Sequence, residues 1–134
     1  QDSPVQDHYA FIQSVTDQDS VTDLMKSMAG IESDDPWIQR SQKAITQGSP
    51  LSVHLIAEQL KRTRHLSLKE VFKSELILAV QCCQHPEFPE GVRALLVDKD
   101  RNPNWMFKSV GAVETAVIEE FFEAPWSDNP LAGI

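Results

Sequence analysis

Four histidines, two cysteines and five glycines hold most of the chemistry open to this 134-residue chain, and their spacing removes much of it. His8, His54, His65 and His85 fall in different predicted elements, without the i, i+4 spacing of a helical metal pair, and Cys82-Cys83 is not a CxxC. No metal ligand set is expected. Adjacent thiols in a helix point about 100° apart, so a mutual disulfide would be strained and both cysteines read as reduced core thiols in a reducing compartment. Gly30, Gly48, Gly91, Gly111 and Gly133 are single and scattered. They form no phosphate-cradling loop, dinucleotide fingerprint or Gly-Gly oxyanion turn, and no catalytic residue is assigned.

Two features survive this search. Glu75 falls on a predicted apolar helix stripe between Phe72 and Ala79, where an unpaired carboxylate would be costly. It is either a general base with a raised pKa or half of an ion pair with Arg93 in the next helix, and the structural pair Glu75–Arg93 is the expected reading. The second feature is "DKDRNPNW", Asp98 to Trp105, where an aromatic sits beside Lys99 and Arg101. Such a group either receives a flat anionic ligand or is a core tryptophan with solvated neighbours.

The elements that position these residues are announced by capping signals. "DSPV", "DDPW" and "GSPL" each place a capping residue before a proline at the first helical position, and "SVTD" and "SLKE" each place an acid three residues after a serine. Helices are therefore predicted near residues 4–15, 20–29, 36–47, 50–64, 68–84, 89–98 and 114–123. Apolar residues at Val53, Ile56, Ala57 and Leu60, and at Leu68, Val71, Phe72, Leu76, Ala79, Cys82 and Cys83, recur at three and four. The spacing predicts an antiparallel central pair and an all-α fold of about seven helices. Length predicts one domain over 1–123, followed by an extended tail over 124–134 that is rich in turn formers.

A formal net charge of −8 with scattered basic residues argues against a nucleic-acid partner. The dense run Lys61, Arg62 and Arg64 is expected to complement a helix C-terminus. No stretch is long and apolar enough for a membrane span, no signal peptide is recognised, and the start at Gln1 reads as a processed chain or a piece of a longer one.

The runs "SPLSVHLIAEQL", "LSLKEVFKSELILAVQCC" and "EFPEGVRALLVDKDRNPNW", with "FIQSVTDQDSVTDLMKSM" before them, resemble the C-terminal region of the 3-hydroxyisobutyryl-CoA hydrolases. These are a branch of the crotonase (enoyl-CoA hydratase/isomerase) superfamily, and the likeness covers roughly residues 9 to 123. "EGVRA" with "DKD..P.W" is its specific part. The resemblance implies a helical C-terminal portion packed on an α/β spiral core that carries the oxyanion groups and carboxylates of thioester hydrolysis. That core is absent from this chain, so the chain alone is expected to be inactive.

The resemblance further implies that the substrate is an acyl-CoA, with no other cofactor, and that Lys99 lies by its coenzyme A portion, with Trp105 beside it as the second candidate contact. Leu95-Leu96 here replaces the superfamily's usual Ala-Phe. The implied partner is the core of the same polypeptide or of a neighbouring subunit, with no nucleic acid and no membrane. The implied location is the cytoplasm, or the mitochondrial matrix in a eukaryote. A non-catalytic helical interaction module and an enoyl-CoA hydratase or isomerase are the alternative readings. Docking on a core would leave some of Val53, Ile56, Leu95 or Val117 exposed in the isolated chain.

Overall fold

The structure is a computed structural model that describes residues 3–133. Every described regular element is helical, and no strand occurs among the described residues. The chain divides into two compact units, one ending at Gly48 and one beginning at Ser49.

The first unit holds α1 (Pro4–Asp7), α2 (Tyr9–Thr16), α3 (Val21–Ala29) and α4 (Pro36–Gln47). Its starts follow the capping signals. Ser3 accepts from the Gln6 N–H, Ser20 from the Asp23 N–H, and Asp35 from the N–H groups of Trp37 and Ile38. Each such cap is worth about 1 kcal/mol. Val15, Met28 and Ile38 are its buried apolar side chains, and the Gln42 amide donates to the carbonyls of Met28 and Ile31 at 2.8 Å, closing the end of α3.

The expected helix over 4–15 is broken at His8, whose backbone (φ −100°, ψ 13°) leaves the helical range. The break has a cause. His8 Nδ1 lies 2.6 Å from the Pro4 carbonyl oxygen, Nε2 lies 2.9 Å from Asp35 Oδ2, and the ring stacks on Trp37 at 4.4 Å. A carbonyl and a carboxylate both accept, so the site favours the protonated imidazole, which donates through both nitrogens. The Asp35 hydrogen bond raises its pKa first, the Pro4 carbonyl next.

The second unit holds α5 (Pro50–Thr63), α6 (Leu68–Gln84), α7 (Glu87–Val92) and α8 (Thr115–Glu120). Ser49 caps α5, and Ser67 with Glu70 closes a full capping box on α6. Leu51, Leu55, Val113 and Phe121 form the core, with Leu78 and Cys82 of α6 packed against it. Arg62, in the last turn of α5, reaches Glu58 at 2.8 Å and Glu119 at 2.6 Å and covers the Phe122 ring at 4.2 Å. The basic run is thereby partly absorbed within the fold. Residues 124–133 contain no regular helix.

Helix α6 is apolar on two faces, and only one is covered. Leu68, Phe72, Ala79 and Cys83 stand exposed at spacings of four, seven and four, as a period of 3.6 allows, while Leu78 and Cys82 pack against the core. Cys83 is thus a surface thiol instead of the expected core one. The expected helix over 89–98 is also divided: α7 passes into a π-helical turn, Arg93–Val97, closed by the Asp98 N–H on the Arg93 carbonyl at 2.8 Å.

Candidate functional site

The sequence "HPEFPEGVR" places Glu87 and Glu90 three residues apart, on one face of α7. Glu87 is only 7% exposed. One of its carboxylate oxygens takes a short hydrogen bond from the Ser49 hydroxyl, and the other accepts the Met106 N–H at 2.5 Å. Ser49 Oγ at the same time accepts the Ser52 N–H at 3.2 Å. One buried pair therefore fastens the start of α5, the start of α7 and the 102–108 loop. Burial without these donors would be costly, and with both oxygens engaged Glu87 serves as a clamp.

Glu90 repeats the pattern at the surface. It accepts the Asn104 N–H at 2.6 Å and a two-pronged guanidinium contact from Arg93, through Nε at 2.9 Å and Nη2 at 2.8 Å. Arg93 Nη1 also donates to Asp98 and Asp100, each at 2.6 Å, and Nη2 to the Asn102 carbonyl at 3.2 Å. The guanidinium, followed by the Asn104 N–H, holds the Glu90 carboxyl down to about 2. Asp100 is lowered by the same guanidinium, and Arg93 itself is raised, first by Glu90.

Behind these contacts lies a cavity of about 350 Å³, bounded by α5, α6, α7 and the 102–108 loop, with Leu51, Leu55, Phe88, Leu96, Trp105 and Phe121 in its wall. Gly91 is part of that wall because the indole crosses it: a Cβ at position 91 would lie 3.2 Å from the Trp105 ring. A side chain there would push the indole back by a few tenths of an ångström. Cys82, His85 and Glu87 also reach the cavity. Burial pushes the Cys82 thiol up, so it stays neutral, and His85 Nδ1 accepts the Glu87 N–H at 3.3 Å. The lining suits binding of an apolar group and offers no activated nucleophile.

The residues singled out by sequence are distributed unevenly over this site. Trp105 lines the cavity; Lys99 does not, and stands exposed on the turn after the π-helical segment. The expected ion pair between Glu75 and Arg93 does not form. Glu75 lies on the exposed face of α6, where a carboxylate keeps its water and needs no partner, and Arg93 is taken by three carboxylates of its own corner. Sequence reasoning missed Glu87 and Ser49 as a clamp, and the true partners of Arg93. The i, i+3 spacing of Glu87, Glu90 and Arg93 was the available signal.

Comparison with known proteins accords with this geometry. A family profile described as enoyl-CoA hydratase/isomerase matches residues 1–122. Two similar relatives are mitochondrial 3-hydroxyisobutyryl-CoA hydrolases. That of Dictyostelium discoideum is 31% identical over 92% of this chain, and that of Gallus gallus 30% identical over 93%, with 32% of each relative covered. The chain thus spans about a third of the length of these relatives. Among solved structures, an enoyl-CoA hydratase from Rhodobacter sphaeroides 2.4.1 superposes with a TM-score of 0.81 at 21% identity, over 93% of this chain and 36% of that one. A carnitinyl-CoA dehydratase from Mycobacterium thermoresistibile gives 0.84 at 23% identity, over 100% of this chain and 38% of that one. The profile spans nearly the whole chain, and the chain belongs to the enoyl-CoA hydratase/isomerase (crotonase) family.

Proposed function

We propose that this chain is the C-terminal helical part of an acyl-CoA thioester hydrolase of the 3-hydroxyisobutyryl-CoA type, covering the acyl-CoA site and supporting a catalytic core supplied by the rest of the polypeptide or by a neighbouring subunit. The observation that carries the reading is the match of over nine-tenths of the chain to such hydrolases, in only about a third of their length. The surface supports it. Leu95, Leu96 and Val97 are consecutive apolar side chains, each at least 60% exposed, and Ile56, Phe72, Phe88 and Met106 are exposed as well. A run of this kind on a free-standing domain is an aggregation hazard, whereas against a core it is an interface.

In this reading Lys99 attracts a phosphate of coenzyme A as a point charge, and Trp105 supplies apolar surface beside the thioester arm. Hydrolysis joins a water oxygen to the acyl carbon and releases the coenzyme A thiol, with groups outside this chain acting on the water and the carbonyl. We take the location to be the cytoplasm, or the mitochondrial matrix in a eukaryote, where the relatives' names place them in the mitochondrion.

The test compares two reactions in the polypeptide that carries this chain: thiol release from 3-hydroxyisobutyryl-CoA and hydration of an enoyl-CoA. Thiol release is expected, and the 134 residues alone are expected to give none. Hydration without thiol release would move the reading to an enoyl-CoA hydratase. Neither reaction, with a monodisperse monomer of the isolated chain, would leave a non-catalytic interaction module.

A further inference from the structure

The first unit carries a bend that its own sequence does not explain. "SPVQDHYAFIQSVT", Ser3 to Thr16, has a capping serine, a proline at the first helical position and no glycine or further proline, which is the pattern of one uninterrupted helix. Helical bonds run on either side of His8, from the His8 N–H to the Pro4 carbonyl at 3.1 Å and from the Ile12 N–H to the His8 carbonyl at 2.8 Å. Among the described residues none runs from the Tyr9, Ala10 or Phe11 N–H back to Val5, Gln6 or Asp7. The bend therefore leaves unmade the backbone bonds that would join α1 to α2.

The histidine side chain offsets that loss. α1 buries no side chain, and so short a helix has no stability of its own. The His8 ring, 19% exposed, lies between the Pro4 carbonyl and Asp35 and stacks on Trp37. Both polar contacts are with acceptors, so both are hydrogen bonds only while the imidazole carries two protons. A neutral ring has one N–H and turns a lone pair toward the other acceptor. Asp35 keeps its capping bonds in either case, because these use Oδ1 and the histidine contact uses Oδ2. We propose that His8 is the pin of a pH-sensitive hinge: the charged ring keeps α1 and α2 bent, and loss of its proton lets them join into one helix over residues 4–16. A single proton then sets the direction in which the chain enters this unit. The charged groups acting on the ring are Asp35 at the start of α4 and Asp7 on α1; from α2, the titratable Tyr9 has its side chain exposed. The Asp35 hydrogen bond, ahead of the Pro4 carbonyl, raises the ring's pKa. The bent form is therefore complete below about 6.5 and is lost as pH rises through the higher folded value.

The experiment follows the whole chain by NMR from about pH 6 to about pH 9, a range that brackets histidine titration. It reads the Cα shift of His8 and the exchange protection of the Tyr9, Ala10 and Phe11 amides. As the ring discharges, the His8 shift should move to a helical value and the three amides should gain about tenfold in protection, while the Trp37 and Ile38 amides keep theirs. No gain at residues 9–11, or a loss of helical shifts over Pro4–Asp7, would overturn the hinge, since α1 would then be fixed or would fray instead of joining α2. Parallel losses at Trp37 and Ile38 would overturn it as well, by showing that the whole unit loosens. Two variants move the switch in opposite directions. His8→Gln carries no charge and should be straight throughout the range. In Asp35→Asn the side-chain oxygen still caps α4, while its amide donates to Nε2 of a neutral ring whose Nδ1–H goes to the Pro4 carbonyl, so the bend should persist to the alkaline end. Straightening of Asp35→Asn in step with the unaltered chain would refute the assignment of the switch to this pair.

Discussion

Two corners of this molecule do the same mechanical work with different cations. In the first unit His8 ties the α1–α2 break to Asp35, the cap of α4. In the second, Arg93 ties α7 to the turn and loop that follow it. Histidine has to be protonated to hold two acceptors, whereas a guanidinium is charged at every accessible pH. The difference teaches that a corner's pH response depends on which partner titrates: the cation in one, the carboxylates in the other.

The largest effect is expected where the second corner is buried. Glu87→Ala would strand the Ser49 hydroxyl and the Met106 N–H, and should cost on the order of 3 kcal/mol in denaturant titration. Amide protection in α3 and α4 should stay as before; equal loss in both units would mean that the two corners are not separable.

Titration sharpens the contrast further. Glu90 sits at about 2 in the folded chain, below the roughly 4.3 of an unfolded chain. Its contribution is complete above the unfolded value and is lost as pH falls toward the folded one. The Asn104 amide resonance should therefore move only in acid. His8 is shifted the other way, upward, so its contribution is complete below about 6.5 and is lost as pH rises through the folded value. Asp35 and Asp7 are the charges that act on it. Trp37, stacked on the ring, should brighten in that range as the imidazolium discharges, and His8→Gln should abolish the change. A flat Trp37 signal from pH 6 to 9 in the unaltered chain would contradict the charged histidine.

The smallest effect belongs to the caps that the units share. Ser20→Ala removes two exposed hydrogen bonds, one accepted from the Asp23 N–H and one donated to the Asp23 carboxylate, and should cost about 0.5 kcal/mol. A much larger loss would give the first unit a dependence on local capping that its corner does not explain.

The helix starts were legible in sequence because capping is local: Ser3, Ser20, Asp35, Ser49 and Ser67 all act within three residues of themselves. The break at His8 was not, since its cause is Asp35, 27 residues away. The same holds for Glu87, whose partner Ser49 lies 38 residues earlier. Glu75 misled for another reason. Periodicity reports that α6 has apolar faces without reporting which of them the rest of the chain covers, and a carboxylate on an uncovered face needs no partner.

The adjacent cysteines supply a reporter that needs no engineering. Cys82 looks into the core and its thiol is suppressed by burial, while Cys83 emerges on the apolar surface of α6. An alkylating reagent therefore distinguishes the two sides of one helix by rate alone, because the thiolate is the reacting form. Whatever comes to cover that surface will slow modification at Cys83 and leave Cys82 as it was, so the pair gives a footprint with its own internal standard.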